Sequence, residues 1–195
     1  MRHWDRHAQL IRCNTFSFVR FPSYAVISSV NLLPRIAQPA DLPAIIAIYN
    51  DTIASREVTA DLVPITVASR QQWFAEHTPG RRPLWVLEAK GEIAGWMAFS
   101  DFHPRAAYAH TAEVSIYLHR NWRKQGLGTG LLAHAIACAP ALGIDNLVGL
   151  IFAHNYASLR LFEGFGFQRW GTLPGVARLD HVGRDLVIVG KSVHD

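Results

Sequence analysis

The amino-acid sequence predicts one α/β domain of the α+β kind, in which a mixed, mostly antiparallel sheet is flanked by helices. Three observations predict this class: two adjacent strand patterns within 84–99, a strand, glycine-rich loop and helix within 111–142, and two further strand patterns after residue 164. The chain has 195 residues, half of them hydrophobic, which is enough to bury one core of ordinary size.

The elements before the central sheet are short. Residues 36–37 are strand-like, and Asp41 is expected to be the N-cap of a helix that ends near Ile53. The apolar residues of that helix recur at helical spacing. A second helix is expected over Ser69–His77, since the Pro79-Gly80 pair would end it.

The central strands follow these helices. Residues 84–88 and 93–99 predict a hairpin around a turn at 89–91, and residues 102–110 form a polar, aromatic loop. The strand over 111–119 alternates in character, which predicts two different faces. One face carries Glu113, Ser115 and Tyr117, and the other carries Val114, Ile116 and Leu118.

The C-terminal part alternates helices and strands. A helix is expected over 128–142, a buried strand over 147–152 and a short helix over 157–163. The final strands are expected over 165–170 and 185–193.

The core domain is assigned to residues 34–195. Residues 1–33 match no clear period and are interpreted as an N-terminal extension of unknown role. They contain no continuous apolar stretch followed by a small-residue cleavage site, so a signal peptide is not expected. No apolar run in the sequence approaches the length of a membrane span.

Composition argues against several classes of partner. The net charge is +4 and the pI is about 9.4, but the basic residues are spread out, so no nucleic-acid arm is expected. Cys13 and Cys138 form no CxxC pair, which favours a reducing, cytoplasmic setting over a disulfide framework. His103, His110 and His119 fit no zinc spacing, and no metal is expected.

A basic, glycine-rich loop stands between the strand at 111–119 and the next helix. Backbone N–H groups at a helix start carry partial positive charge, and glycine lets a ligand approach them closely, so the loop predicts a pyrophosphate site. A Rossmann fingerprint fails because position 131 is Leu, and no Walker A motif is present. The alternative is a tight strand-to-helix turn without a ligand. The candidate binding residues are Arg123, Lys124, Gln125, Gly126, Leu127, Gly128 and Thr129.

Several ordered motifs together resemble one family. The segment AEVSIYLHRNWRKQGLGTGLL (112–132) resembles the strand, loop and helix of the GNAT acetyltransferases, in the branch of the phosphinothricin and methionine sulfoximine N-acetyltransferases. The resemblance covers roughly residues 35–190 and implies the GNAT acyl-CoA N-acyltransferase fold. Its other motifs are DLPAIIAIYN (41–50), Trp73-Phe74, Gly95-Trp96, Arg105 with Tyr108, and NYASLRL (155–161) followed by Gly166-Phe167.

The resemblance implies acetyl-CoA as the co-substrate. Backbone groups of Ile116, Tyr117 and Leu118 would pair with the pantetheine arm, where the strand splays from its neighbour, and one amide N–H would polarise the thioester carbonyl. Asn155 would bind the same arm through its amide group. The other interpretation of Asn155 is a helix N-cap, and its carbonyl oxygen could serve that role at the same time.

Glu113 is the expected general base, because a carboxylate in a partly apolar cleft has a raised pKa. The alternative is an exposed strand carboxylate in a salt bridge. A general acid is harder to assign, since Phe162 stands where many GNAT enzymes have a tyrosine. Tyr117 and Tyr156 are possible substitutes, although surface packing explains them as well.

Arg105 and Tyr108 are the expected acceptor-binding residues, and Arg105 would hold a carboxylate or phosphinate bidentately unless it is simply a solvated loop arginine. Aromatic residues could line the acceptor cleft or belong to the core; they are Trp73, Phe74, Phe99 and Phe102. The segment 176–185 departs from the family's usual pattern by placing His181 and Arg184 there, which leaves the acceptor unidentified.

The expected function is N-acetylation of the primary amine of a small amino-acid-like substrate. A non-catalytic acyl-CoA sensor and an enzyme acting on protein N-termini or lysines remain the alternatives. Related enzymes often form dimers, so a homodimer is possible.

Overall fold

The computed structural model describes residues 33–194. The expectation for Cys13, and the interpretation of residues 1–33 as an extension except at Leu33, therefore concern residues outside the described part. The division of the chain at residue 34 stays a prediction.

Seven strands of the described residues form one sheet. The strands are β1 (Arg35–Ile36), β2 (Leu84–Ala89), β3 (Glu92–Asp101), β4 (Thr111–Leu118), β5 (Asn146–Phe152), β6 (Gln168–Leu179) and β7 (Val182–Ser192). Their order in the sheet is β1-β2-β3-β4-β5-β7-β6, and all neighbouring strands are antiparallel except β4 and β5, which are parallel. This confirms the predicted mixed, mostly antiparallel sheet.

Helices cover both faces of this sheet. Residues at alternate positions of β2 and β3 pack on one face against α1 and α2, and on the other face against α3 and α4. The larger core lies under α3 and α4 and includes Leu131, Leu132 and Phe162. The helices are α1 (Leu42–Ile53), α2 (Gln71–Glu76), α3 (Leu127–Cys138) and α4 (Tyr156–Gly164).

Asp41 does not cap α1 with its side chain. Its carboxylate accepts the N–H of Gln38 at 2.6 Å and a guanidinium N–H of Arg35 at 2.7 Å. The bond from Arg35 is the main reason why the pKa of Asp41 lies below its usual value. The aspartate therefore fixes the turn before the helix and ties it to β1.

The third helix is shorter than expected. It ends at Cys138, and a 3-10 turn over Pro140–Leu142 follows. Proline lacks a backbone N–H and disfavours the α conformation of the residue before it, which explains the early end.

The last two strands are much longer than expected. Strand β6 reaches Leu179 and β7 starts at Val182, so the segment 176–185 is the end of a hairpin. Most residues of β6 are exposed, so they carry no apolar alternation from which a strand could be predicted. His181 lies in the turn of this hairpin with a φ of 70°.

Candidate active site

Strands β4 and β5 separate halfway along their length. Their parallel pairing covers three positions and ends where Glu113 lies beside Val148, although β4 continues to Leu118 and β5 to Phe152. Beyond this point an opening lies between the two strands.

Backbone groups of β4 face this opening. The N–H of His119 donates to the carbonyl of Ala94, and hydrogen-bonded positions alternate along an antiparallel ladder, so Tyr117 directs its backbone groups toward β3. Ile116 and Leu118 direct theirs away from β3, into the opening. The register therefore supports Ile116 and Leu118 as backbone partners of a ligand and leaves Tyr117 to contribute its side chain alone.

A slot occupies the opening, and we call it the edge slot. It is open to solvent, and its empty volume, which includes part of that solvent, is about 410 Å³. Its walls come from β4, from the end of β5 and from the start of α4, so a narrow chain-like ligand could lie against the free edge of β4 as an added strand does. The lining residues are Val58, Val114, Ser115, Ile116, Tyr117, Leu150, Ile151, Phe152, Asn155, Ser158 and Phe162.

The glycine-rich loop presents six consecutive amides. Within residues 33–194, none of the backbone N–H groups from Lys124 to Thr129 donates a hydrogen bond. Lys124 and Gly126 have φ values of 61° and 81°, and residues 123–126 are exposed. Unpaired amides at a helix start form an anion site, and this one follows directly on the strand that borders the edge slot.

The side chains of this loop are directed to different partners. Arg123 donates to the carbonyl of Leu118 at 3.1 Å and lies 3.6 Å from the carboxylate of Asp51, so it braces the loop against β4. Gln125 donates to the carbonyl of Asn121 at 2.8 Å. Lys124 is exposed, and its ammonium group has no partner among the described residues. Lys124 therefore remains the loop cation with most freedom to reach an anion.

Asn155 performs two structural tasks. Its side-chain carbonyl accepts the N–H of Ser158 at 3.1 Å, which caps α4, and its amide donates to the carbonyl of Glu57 at 3.1 Å. The expectation that capping leaves the amide group free is therefore wrong in part. One of the two amide hydrogens remains for a ligand in the edge slot, which Asn155 lines.

Glu113 lies at the point where β4 and β5 separate. Burial raises the pKa of its carboxyl group, while the hydroxyl of Ser115, which donates to it at 3.3 Å, lowers that pKa by a smaller amount. No salt bridge reaches Glu113 from residues 33–194. The exposed, salt-bridged alternative therefore does not describe this carboxylate.

Phe162 stands at the position expected for a general acid, and it lines the edge slot. Its ring packs against Phe167 at a centroid distance of 4.9 Å and closely covers Gly149, and it has no proton to donate. Tyr117 lines the slot, but burial raises the pKa of its hydroxyl, which makes it a weaker acid. Tyr156 is 66% exposed and is not among the residues that line the slot.

A second cavity lies on the Glu113 face of β4, and we call it the aromatic cavity. It is open to solvent, its empty volume including part of that solvent is about 560 Å³, and it shares Ser115 and Tyr117 with the edge slot. The ring of Trp96 stacks on Tyr117 at a centroid distance of 4.3 Å. The lining residues are Ile45, Ile46, Tyr49, Ile65, Arg70, Trp73, Trp96, Ala98, Ser100, Ser115 and Tyr117.

Arg70 lines the aromatic cavity, although it was not among the site residues predicted from the sequence. It is the one charged side chain of residues 33–194 that lines the aromatic cavity, and its guanidinium lies 3.5 Å from the carboxylate of Asp61. The signal that could have found it is its spacing: Arg70 stands three residues before Trp73, so both share one face of a helical segment.

The expected acceptor-binding residues lie elsewhere. Arg105 is exposed, and the ring of Tyr108 packs against that of His103 at a centroid distance of 4.7 Å. Neither Arg105 nor Tyr108 is among the residues that line the two cavities. Of the expected aromatic walls, Trp73 lines the aromatic cavity, Phe99 is wholly buried core and Phe102 is exposed. Phe74 is partly buried and packs against the smaller core.

The C-terminal hairpin brings neither of its candidate residues to the cavities. His181 is exposed in the turn, and Arg184 lies on β7. In the part of the chain that the structure describes, no group of three or more His, Cys, Asp or Glu side chains is arranged to hold a metal ion. The absence of a metal remains a prediction. None of the described helices has the length and apolarity to cross a membrane.

Comparison with known proteins identifies the family. The sequence profile of the Acetyltransferase (GNAT) family matches residues 45–167. A Bacillus subtilis protein, named provisionally as a phosphinothricin acetyltransferase, is 49% identical over 82% of this chain and 98% of its own length. The L-methionine sulfoximine/L-methionine sulfone acetyltransferase of Pseudomonas aeruginosa is 35% identical over 74% of this chain and 84% of its own length.

A solved structure shares this fold over most of its length. The GNAT superfamily phosphinothricin acetyltransferase of Sinorhizobium meliloti, crystallised with AcCoA, superposes with a TM-score of 0.79 at 26% identity, over 84% of this chain and 89% of that one. The splayed strands, the unpaired amides after them and these matches agree, and the chain belongs to the GNAT acetyltransferase family.

Proposed function

We propose that this protein is an enzyme that transfers an acetyl group from acetyl-CoA to the primary amine of a small amino-acid-like substrate. The observation that carries the proposal is the row of unpaired amides from Lys124 to Thr129, placed directly beyond the open edge of β4. Acetyl-CoA supplies the activated acetyl group. The residues present fit it, since they offer an anion site followed by a narrow slot.

Binding uses mainly the backbone. The amides from Lys124 to Thr129 hold the diphosphate, and the edge slot takes the pantetheine arm against the backbone groups of Ile116 and the N–H of Leu118, whose carbonyl accepts from Arg123. The remaining amide hydrogen of Asn155 adds one side-chain contact. An N–H that faces the opening also polarises the thioester carbonyl.

Glu113 then takes a proton from the acceptor ammonium, directly or through a water molecule. Its raised pKa brings its basicity closer to that of the amine, and Ser115 holds the carboxylate in place. The departing thiolate is a fairly stable anion, so this mechanism needs no protein acid at position 162.

The test is release of free thiol from acetyl-CoA in the presence of single amines. The panel contains amino acids, methionine sulfone and phosphinothricin, together with a peptide and a lysine-rich protein, each tested alone as the acceptor. Turnover of the small amines supports the proposal. Acetyl-CoA binding without thiol release on any amine would support the sensor instead, and release with peptides alone would support a protein acetyltransferase.

Other expectations stay predictions within this proposal. Arg105 and Tyr108 would reach the acceptor only if their loop contacts it in another arrangement. A cytoplasmic location fits the use of acetyl-CoA, and the absence of a nucleic-acid partner fits the modest net charge. The homodimer is a further prediction, which a measurement of the protein's mass in solution by sedimentation would test.

A further inference from the structure

We propose that Phe162 limits the length of the acyl group that the edge slot accepts, because its ring fills the place where a longer acyl chain would lie. This inference rests on the proposed function and deepens it, since it assigns the choice of acetyl-CoA over longer acyl-CoA thioesters to one side chain. Phe162 then acts as a wall of the slot, and this role is independent of proton transfer.

The acyl group would lie at the closed end of the edge slot. The diphosphate site begins beyond the end of β4, whereas the last paired position of β4 and β5 is Glu113 beside Val148. An arm that runs from the loop along the free edge of β4 therefore ends where the two strands meet. The thioester lies at that end, close to Glu113.

The ring of Phe162 lies at the same end. It covers Gly149, the residue that follows Val148 on β5, so closely that an added Cβ at Gly149 would lie 2.8 Å from the ring. Phe162 is 5% exposed and lines the edge slot. Since glycine has no side chain, the ring closes the wall of the slot at this position.

The direction of attack sends a longer chain toward this ring. Glu113 and Ser115 lie on one face of β4, so the amine approaches the planar thioester from that face. With the carbonyl oxygen on an N–H of β4, the acyl chain points across the opening to β5 and Gly149. A chain that bends away from the incoming amine then meets the face that carries α4, where Phe162 lies.

The ring has little freedom to give way. Phe167 packs edge-on against it at a centroid distance of 4.9 Å, and both rings belong to the larger core. Val114 and Ile151, which also line the slot, are buried in the same core. Interiors of this kind are close-packed, so each added methylene would displace its neighbours and weaken binding.

The experiment compares acetyl-CoA, propionyl-CoA and butyryl-CoA as ligands and as donors. Calorimetry gives the Kd of each thioester, and thiol release with one accepted amine gives each kcat/KM. In the native protein we expect both measures to favour acetyl-CoA over butyryl-CoA by about tenfold or more, since one methylene in a fitted pocket is worth about 10- to 200-fold. The ratio should fall toward one for propionyl-CoA in Phe162→Leu, and for butyryl-CoA as well in Phe162→Ala.

Phe167→Leu is the matched control, because this ring packs against Phe162 from the core and is not among the residues that line the slot. It should lower the Tm and keep the native ratio. Leucine retains most of the apolar volume, so Phe162→Leu provides the test even if Phe162→Ala does not fold. A native ratio in Phe162→Leu, or an equal change of the ratio in Phe167→Leu, would overturn the inference.

The Kd series separates this inference from the proposed function. Binding of acetyl-CoA without transfer to any amine would refute the proposed function, whereas a Kd that depends on acyl length and on Phe162 would still support the wall. Equal Kd and kcat/KM values for the three thioesters in the native protein would refute only the limit on acyl length.

Discussion

The two cavities that share Ser115 and Tyr117 offer different groups to a ligand. The edge slot and the loop after it offer mostly backbone: amides from Lys124 to Thr129 and the free edge of β4. The aromatic cavity offers almost only side chains from four separate stretches of the chain. Backbone recognition depends on conformation and tolerates sequence change, whereas side-chain recognition changes with each substitution. The difference predicts that a substitution in the loop changes acetyl-CoA binding only where it changes the backbone conformation.

Glu113→Gln should have the largest effect, because Glu113 is the proposed general base and lies beside Ser115, which lines both cavities. Loss of a general base lowers kcat by about 10²- to 10⁴-fold. Burial raises the pKa of Glu113, and the active form is the carboxylate, so the native rate should rise with pH through that raised pKa. The variant should lack this rise in a thiol-release assay.

Acetyl-CoA affinity is the control for this variant. It should be unchanged in Glu113→Gln, since the carboxylate holds no part of the diphosphate. A native pH profile or a native rate in the variant would remove Glu113 from the mechanism.

Gly126→Ala tests the backbone side of the comparison. At a φ of 81° no neighbour would meet an added Cβ, so the cost arises from backbone strain alone. A left-handed alanine is unfavourable by about 1 kcal/mol, so relaxation of the loop should raise the Kd of acetyl-CoA by about fivefold or more. Calorimetry or fluorescence titration measures it.

Gly130→Ala is the matched control, since an added Cβ there also meets nothing and the residue lies inside α3. It should leave the Kd unchanged and raise the Tm slightly. Equal Kd values for the native protein and Gly126→Ala would show that the shape of the loop does not decide binding.

Asn155 provides a smaller test, since here a side chain enters the backbone region. Asn155→Ala removes the cap of α4 and should lower the free energy of unfolding by about 1 kcal/mol. Asn155→Asp keeps the capping oxygen and loses the donated hydrogen bonds. If the amide binds the cofactor, both variants should weaken acetyl-CoA binding to the same extent, whereas urea denaturation should show a lower free energy of unfolding for Asn155→Ala than for Asn155→Asp. An unchanged acetyl-CoA affinity in Asn155→Asp would show that Asn155 only caps the helix.

Phe162→Tyr should have the smallest effect. The ring already fills its place over Gly149, so the variant adds one hydroxyl to the edge slot. Because the thiolate leaves readily, kcat should change by less than about tenfold. That is smaller than the roughly 10²- to 10⁴-fold that general acid–base catalysis usually contributes. A much larger rise would show that the native enzyme is limited by protonation of the thiol.

The elements whose apolar residues recur at a regular spacing could be predicted from the sequence. The hairpin of β2 and β3, the alternating strand β4 and the apolar stripe of α3 lie within a few residues of their expected bounds. The long β6–β7 hairpin was not, because its exposed residues follow no apolar alternation. The task of Asp41 was also missed, because it depends on Arg35 reaching across from β1.

The family, the order of the elements and the glycine-rich loop could be predicted from the amino acids alone, because local spacing controls backbone conformation and a backbone site is continuous in the chain. Three features are visible only in the folded molecule: the point where β4 and β5 separate, the partial occupation of the Asn155 amide, and the position of Arg70 rather than Arg105 at the aromatic cavity. These features depend on contacts between residues far apart in the sequence, and no local pattern records them.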